Sequence, residues 1–183
     1  MSEIFVGHDF GLLYVVSQFF ALVGTILSLL SVQQKKKVQI LNYNTLASAS
    51  AILHYLFLGA WTGVAIKIVS TTRNATAAYA AHKQKKPKVL PFVFVIFYAI
   101  SGCLTYESVF SLLPTFGVIV FTVVIYLGEA KTIRYVAGFC SLMWLIYNVH
   151  VFSLVGVVSE LVYIGNDLAA IYRYRKPKRR IRG

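Results

Sequence analysis

Acidic residues are scarce. Glu3, Asp9, Glu107, Glu129, Glu160 and Asp167 are all that 183 residues hold, against 18 lysines and arginines. Charge of either sign accounts for 13% of the chain, about half of the roughly 25% usual in soluble domains. Cysteine is rare too. Cys103 and Cys140 both lie in apolar stretches, with no metal-ligand spacing and no sequence support for a disulfide, so they read as small packing residues. A Gly-rich phosphate loop, an HExxH pair and a Ser-centred elbow are all missing. No enzyme, cofactor or metal is therefore expected. The first ten residues carry Glu3 and Asp9 but no lysine or arginine, and the apolar run after them is too long for a signal-peptide core.

What is present is apolar surface. The chain is 58% hydrophobic with a mean hydropathy of +0.70, too much for one water-soluble core of this size to hide. Lipid bilayer is the expected solvent. Stretches of about 20 mostly apolar residues, the length a spanning helix needs, predict helices at 11–32, 38–59, 62–82, 89–106, 109–127, 135–152 and 154–173. Of the 18 basic residues, 16 fall in four short clusters: Lys35 to Lys37, Lys83 to Lys88, Lys131 with Arg134, and Arg173 to Arg182. Each closes an apolar stretch, and none builds a basic groove, so nucleic acid is not an expected partner. The links near 59–62, 105–108 and 153–154 have no lysine or arginine. This alternation predicts the N-terminus outside and the C-terminus in the cytoplasm. The basic tail, Tyr172 to Gly183, suits anionic lipid.

An internal repeat is the next expectation. Shifting the chain by 93 residues lays helices one to three on helices five to seven. Gly24 meets Gly117, Ser48 meets Ser141, Gly63 meets Gly156, Lys67 meets Glu160 and Asn74 meets Asp167. The fourth helix lets both triplets run in the same direction, as in small transporters built from parallel repeats. The predicted fold is an all-α membrane protein with seven transmembrane helices, two parallel three-helix bundles joined by a linker helix (3+1+3). The units run over 1–88, 89–108 and 109–173, with a tail at 174–183.

Charge at membrane depth costs about 2.5–3.5 kcal/mol per group on insertion scales, which makes each such group a site candidate. Lys67, Arg73 and Asn74 fall in the third predicted helix, and Glu160, Asn166 and Asp167 in the seventh. Lys67 and Asn74 are seven residues apart, as are Glu160 and Asp167, which puts each pair on one helix face. Two readings stay open: a polar pocket that binds a solute, or structural ion pairs holding two bundles together. Trp144 lies deep enough to wall a pocket or simply to pack. His54 and His150 suit either a proton relay or plain hydrogen bonding. Gln18, Asn42, Asn44 and Asn148 suit either pocket groups or interhelical hydrogen bonds, and Trp61 and Tyr106 suit the outer interface. Pro114, inside the fifth helix, suits a hinge or a static kink.

The stretch HYLFLGAWTG over 54–63 followed by Arg73, the run LLPTFG over 112–117, WLIYN over 144–148 and GVVSE over 156–160 together resemble the Imp-YgjV family of bacterial inner membrane proteins. The resemblance runs from about Leu12 to Arg175. It implies a multi-pass protein of the bacterial inner membrane and brings little biochemistry. More distantly, the 3+1+3 plan is similar to SWEET and PQ-loop transporters, whose half-size relatives dimerise a single three-helix bundle. Those transporters place an asparagine in the third helix of each bundle to bind sugar, which implies Asn74 here, with Asn166 or Asp167 as its counterpart. The Pro-Gln pair of PQ-loop proteins is absent: Gln18 follows Ser17, and Thr115 follows Pro114. The function expected is small-solute transport by alternating access, with Lys67, Arg73, Asn74, Trp144, Glu160, Asn166 and Asp167 as substrate-binding candidates. The other reading is a non-transporting scaffold or regulatory subunit. A homo-oligomer is compatible with both.

Overall fold

The computed structural model describes residues 11–34, 36–84, 88–127 and 130–175. The N-terminal Glu3 and Asp9, the loop residues Lys35, Lys85, Lys86, Pro87, Gly128 and Glu129, and tail residues 176–183 lie outside the described residues. Among the described residues the chain is all helical, with seven helices and no strand: α1 (Leu12–Gln33), α2 (Lys37–Leu58), α3 (Trp61–His82), α4 (Leu90–Leu104), α5 (Val109–Leu127), α6 (Ala130–His150) and α7 (Leu154–Arg175).

Most boundaries lie within two residues of those the hydropathy predicts, but α6 begins five residues early, at Ala130. The helix formers in Ala130–Arg134 extend the helix, so the expected link over 128–134 contracts. α5 runs unbroken through the buried Pro114. At 15 residues, α4 is roughly 22 Å long, short of the roughly 30 Å of a hydrocarbon core. Over Leu12–Ser31, α1 is long and apolar enough to cross a membrane by itself, while the apolar stretches of α4 and α5 are shorter. The other helices fall below that test because serines, asparagines, histidines and charges interrupt them.

The two hairpins that join α2 to α3 and α6 to α7 match bond for bond. α2 ends at Gly59, whose φ of 74° is left-handed, a conformation glycine adopts at no steric cost. Gly59 N–H donates to the Leu56 carbonyl at 3.2 Å, and Ala60 N–H to the Tyr55 carbonyl at 3.0 Å. In the second hairpin Phe152 takes the left-handed position, with φ of 54°. Its N–H donates to the Val149 carbonyl at 3.2 Å, and Ser153 N–H to the Asn148 carbonyl at 2.9 Å. Every residue of the second set lies 93 positions after its counterpart. The glycine crossings follow the same offset. A Cβ on Gly24 of α1 would meet Ala47 and Ser50 of α2, and one on Gly117 of α5 would meet Cys140 and Met143 of α6. At Gly24 the approach is close, 3.2 Å from the Ala47 carbonyl oxygen, while at Gly117 a Cβ would sit in ordinary contact.

The helices close into a ring. α1 packs on α2, α2 on α3, α3 on α5, α5 on α6, α6 on α7, and α7 back on α1. α4 lies outside it, against α3 and α5. Helices facing each other across the ring are α1 and α5, α2 and α6, and α3 and α7. Among the described residues the interior is more polar, and the exterior more apolar, than in a water-soluble domain. Serines, threonines, asparagines and His54 are buried in number equal to the buried apolar residues. Leu12, Phe19, Phe92, Ile96, Leu104, Val158 and Leu161 instead stand exposed on the outside. An apolar exterior this continuous calls for an apolar surrounding.

Candidate functional site

Inside the ring lies a cavity of about 390 Å³, within the roughly 300–1,000 Å³ typical of small-molecule sites. All six ring helices line it and α4 does not. Its wall is made of small and polar stripes at helical spacing: Ala21, Gly24, Thr25 and Ser28 on α1, and Gly156, Ser159, Glu160 and Tyr163 on α7. Residues i, i+3, i+4 and i+7 share a face, so these stripes turn inward while the leucines between them turn out.

Lys67, Arg73 and Asn74 of α3 and Glu160 of α7 all line this cavity. Lys67 lays its Nζ 4.0 Å from the centroid of the Trp144 ring, a cation–π seat. Glu160 accepts a hydrogen bond from Ser141 and lies within electrostatic reach of Lys67. Arg73 is held by neutral groups. Its Nη1 donates to Thr122 Oγ1 at 2.9 Å, its Nε and Nη2 to Asn74 Oδ1 at 3.3 Å, and its guanidinium stands 5.8 Å from the Tyr98 ring centroid. Asn74 Nδ2 in turn donates to the Asn44 carbonyl and Ser48 Oγ, both at 3.3 Å. This cluster ties α2, α3 and α5 together.

The remaining candidates lie elsewhere. Trp144 is buried behind Lys67, stacked 5.7 Å from the Tyr55 ring. Asn166 is exposed on the outside of α7. Asp167 sits against α6, its Cβ 3.8 Å from where Gly138 would carry one, and is not in the cavity wall. The seven-residue spacing therefore brings Lys67 and Asn74 to one cavity but not Glu160 and Asp167.

At the end carrying the α2–α3 and α6–α7 hairpins, interlocked side chains close the cavity. The backbones of α2 and α6 stay apart, yet Tyr55 OH donates across the ring to Asn148 Oδ1 at 2.8 Å. Gly63 N–H donates to Tyr147 OH at 3.1 Å. Gly156 N–H donates to Ser153 Oγ at 3.1 Å, and Ser153 Oγ lies 2.9 Å from His54 Nε2. His54 Nδ1 sits 2.9 Å from the Ser17 carbonyl. A carbonyl only accepts, so Nδ1 carries the proton and Nε2 accepts from Ser153. Both ring nitrogens are occupied. Gln18 Oε1 accepts from Val155 N–H at 2.9 Å and caps the start of α7. Tyr55, His54, Tyr147, Asn148 and Ser153 are all buried here, whereas at the opposite end Ser28, Leu41, Asn44 and Tyr163 are half-buried.

The loop layer beyond this closure is polar. His150 Nε2 lies 3.3 Å from Ser108 Oγ, and its ring stacks on Phe110. In the α4–α5 link, desolvation pushes the Glu107 carboxyl above the ordinary range, while the Trp61 N–H and His150 pull it the other way. Trp61 and Tyr106 are both exposed at this end, where interfacial rings are expected. Asn42 faces outward between α2 and α3.

Tyr55, Tyr147 and Ser153 were not singled out by the sequence, although Tyr55 lies 93 residues before the Asn148 it bonds. The inward stripes of α1 and α2 carried the available signal: serines, threonines and alanines at i, i+3, i+4 and i+7. The chain matches none of the curated proteins and none of the solved structures. A family model described as Imp-YgjV, bacterial inner membrane protein, matches residues 15–178, and the chain belongs to that family.

Proposed function

We propose that this protein is a small-solute transporter of the inner membrane, working by alternating access between two parallel three-helix bundles. The bundles are α1–α3 and α5–α7, within 1–88 and 109–173, and α4 links them within 89–108. The matching hairpins, the matching glycine crossings and the ring in which α1, α2 and α3 face α5, α6 and α7 all support an internal repeat of 93 residues. The plan is similar to that of SWEET transporters. The loop charges support a periplasmic N-terminus and a cytoplasmic C-terminus, so the sealed end of the cavity is periplasmic and the half-exposed end cytoplasmic. On that orientation the molecule faces inward.

The observation that carries this reading is the cavity itself. Structural ion pairs would bury unlike charges against each other in a dry contact. Instead Lys67 rests on Trp144, and Lys67 and Glu160, within electrostatic reach of each other, both face an open volume of about 390 Å³. Arg73 alone favours the scaffold reading, because its bonds to Thr122 and Asn74 fasten α3 to its neighbours.

Uptake into proteoliposomes of purified protein, against a panel of sugars, amino acids, organic acids and vitamins, tests the proposal. Uptake of one class is expected, lost in Lys67→Ala and Glu160→Gln at unchanged protein level. A panel with no uptake, or variants transporting equally per molecule, refutes it and leaves the scaffold reading. Reporter fusions after Arg175 test the orientation: fluorescent protein should fold there and alkaline phosphatase should stay inactive.

A further inference from the structure

The cavity wall is electrically unfinished. Among the described residues that line it, three carry charge: Lys67, Arg73 and Glu160. The contacts of Arg73 are all neutral, being Asn74, Thr122 and the Tyr98 face. Lys67 rests its ammonium on the Trp144 face, and the N–H donors pointing away from the ring are left for the cavity. Arg73 lies close enough to Lys67 to repel it. Two cations thus face one carboxylate, a net charge of +1 in a medium where uncompensated charge is costly. Asp167 is not among the residues that line the cavity.

A bound solute completes the balance only if it carries one negative charge. A neutral solute leaves the excess untouched, and so does a zwitterion, which satisfies Lys67 and Glu160 but adds no net charge. A dianion overshoots and meets Glu160. The wall also offers Thr25, Ser28, Ser48, Ser159 and Tyr163 to an oxygen-rich molecule. We propose that the cavity takes a small monocarboxylate, held by the Lys67 ammonium through charge-assisted hydrogen bonds, with Arg73 as a fixed positive charge behind it. This rests on the solute-transport reading and names its substrate class.

Trp144 supplies the probe. Lys67 lies on its ring, and Trp61 is the other tryptophan, so a Trp61→Phe background leaves Trp144 as the sole indole reporter. In lipid nanodiscs, lactate or acetate should draw Lys67 from the ring and change Trp144 fluorescence saturably. Glycine and glucose should not, and succinate, a dianion, and chloride, a monoanion without carboxylate oxygens to take the ammonium's hydrogen bonds, should both bind more weakly. Lys67→Met should weaken lactate binding at least about tenfold, roughly 1.4 kcal/mol, while Lys67→Arg retains it. Glu160→Gln, which removes a like charge from the solute's neighbourhood, should tighten lactate binding. Where Lys67→Met fails to fold, those last two variants decide.

A response to glucose, glycine or chloride without one to lactate or acetate overturns the proposal. So does silence towards both acids, or lactate binding unchanged in Lys67→Met. Labelled solute separates this from the transport reading. Lactate that binds but is not taken up by proteoliposomes removes transport and keeps the anion site. Glycine uptake with no acid response removes the anion site and keeps transport.

Discussion

Gly63 and Gly156 are where an added methyl group has nowhere to go. A Cβ on Gly63 would fall 2.5 Å from Tyr55 Cγ, and one on Gly156 would collide with Ser153 Oγ and fall 2.8 Å from Asn148 Cγ. Neither neighbour yields freely. The Tyr55 ring is fixed by its bond to Asn148 and by Trp144 and Tyr147, and Ser153 is held at His54. Overpacking costs about 1–3 kcal/mol, and a broken hydrogen bond adds about 0.5–1.5 kcal/mol. Against this, alanine gains about 0.5–1 kcal/mol over glycine in a helix. Gly63→Ala and Gly156→Ala should each therefore lose about 1–3 kcal/mol, the net of those terms. At about 2–4 °C per kcal/mol for a chain of this size, thermal unfolding in detergent should shift down by several degrees. Gly165→Ala is the control, because nothing lies within 4 Å of its added Cβ, and it should be neutral or stabilising. If Gly63→Ala and Gly156→Ala unfold with Gly165→Ala, the close-packed closure of the cavity is refuted.

Three further outcomes follow from the same geometry. Gly59 and Phe152 hold matching left-handed positions, and an L side chain there costs about 1–2 kcal/mol; Gly59→Ala should destabilise, and Phe152→Gly should stabilise, as read by the same melts. Thr122 is fully buried and accepts from Arg73, so Thr122→Val should cost about 1.5–3 kcal/mol, the range for a bond to a charged group, while Thr122→Ser should keep most of it. Glu107 has its carboxyl raised by desolvation from 4.5, so the folded chain holds that proton more tightly than the unfolded chain. Stability should then fall as pH rises from 4.5 through the folded value, and Glu107→Gln should flatten that slope; an equal slope in the variant would refute the assignment.

The sequence carried the helices because hydropathy needs only a local sum, and Gly59 and Pro91 mark ends by backbone geometry alone. Lys67, Arg73, Asn74 and Glu160 were legible for a related reason: a charge or amide in an apolar run stands out wherever it points. Which way each residue faces was not legible. Glu160 and Asp167 share a helix face at seven-residue spacing, yet α7 packs between α1 and α6, so one reaches the cavity and the other reaches Gly138. Asn166, one residue before Asp167, is exposed. Tyr55 escaped notice because a tyrosine in an apolar helix is ordinary. Its meaning comes from Asn148, which only the closing of the ring brings to it.

The 93-residue offset pairs residues that resemble each other at the hairpins and crossings and residues that differ at the centre. Glycine matches glycine at 24 with 117 and at 63 with 156, and at 63 and 156 the neighbouring side chains leave no room for a Cβ. Lys67 against Glu160, and Tyr55 against Asn148, are unlike. Like charges at the first pair would repel across a low-dielectric cavity, and two tyrosines at the second would meet donor to donor unless one turned to accept. Opposite partners solve both problems. The price is that the site is directional, with its cations on α3 and its carboxylate on α7. On the proposed transport reading, a solute lying across the cavity would meet different chemistry at its two ends, and specificity would arise where the two three-helix units differ. Motion, on the rocking model, would arise where they agree.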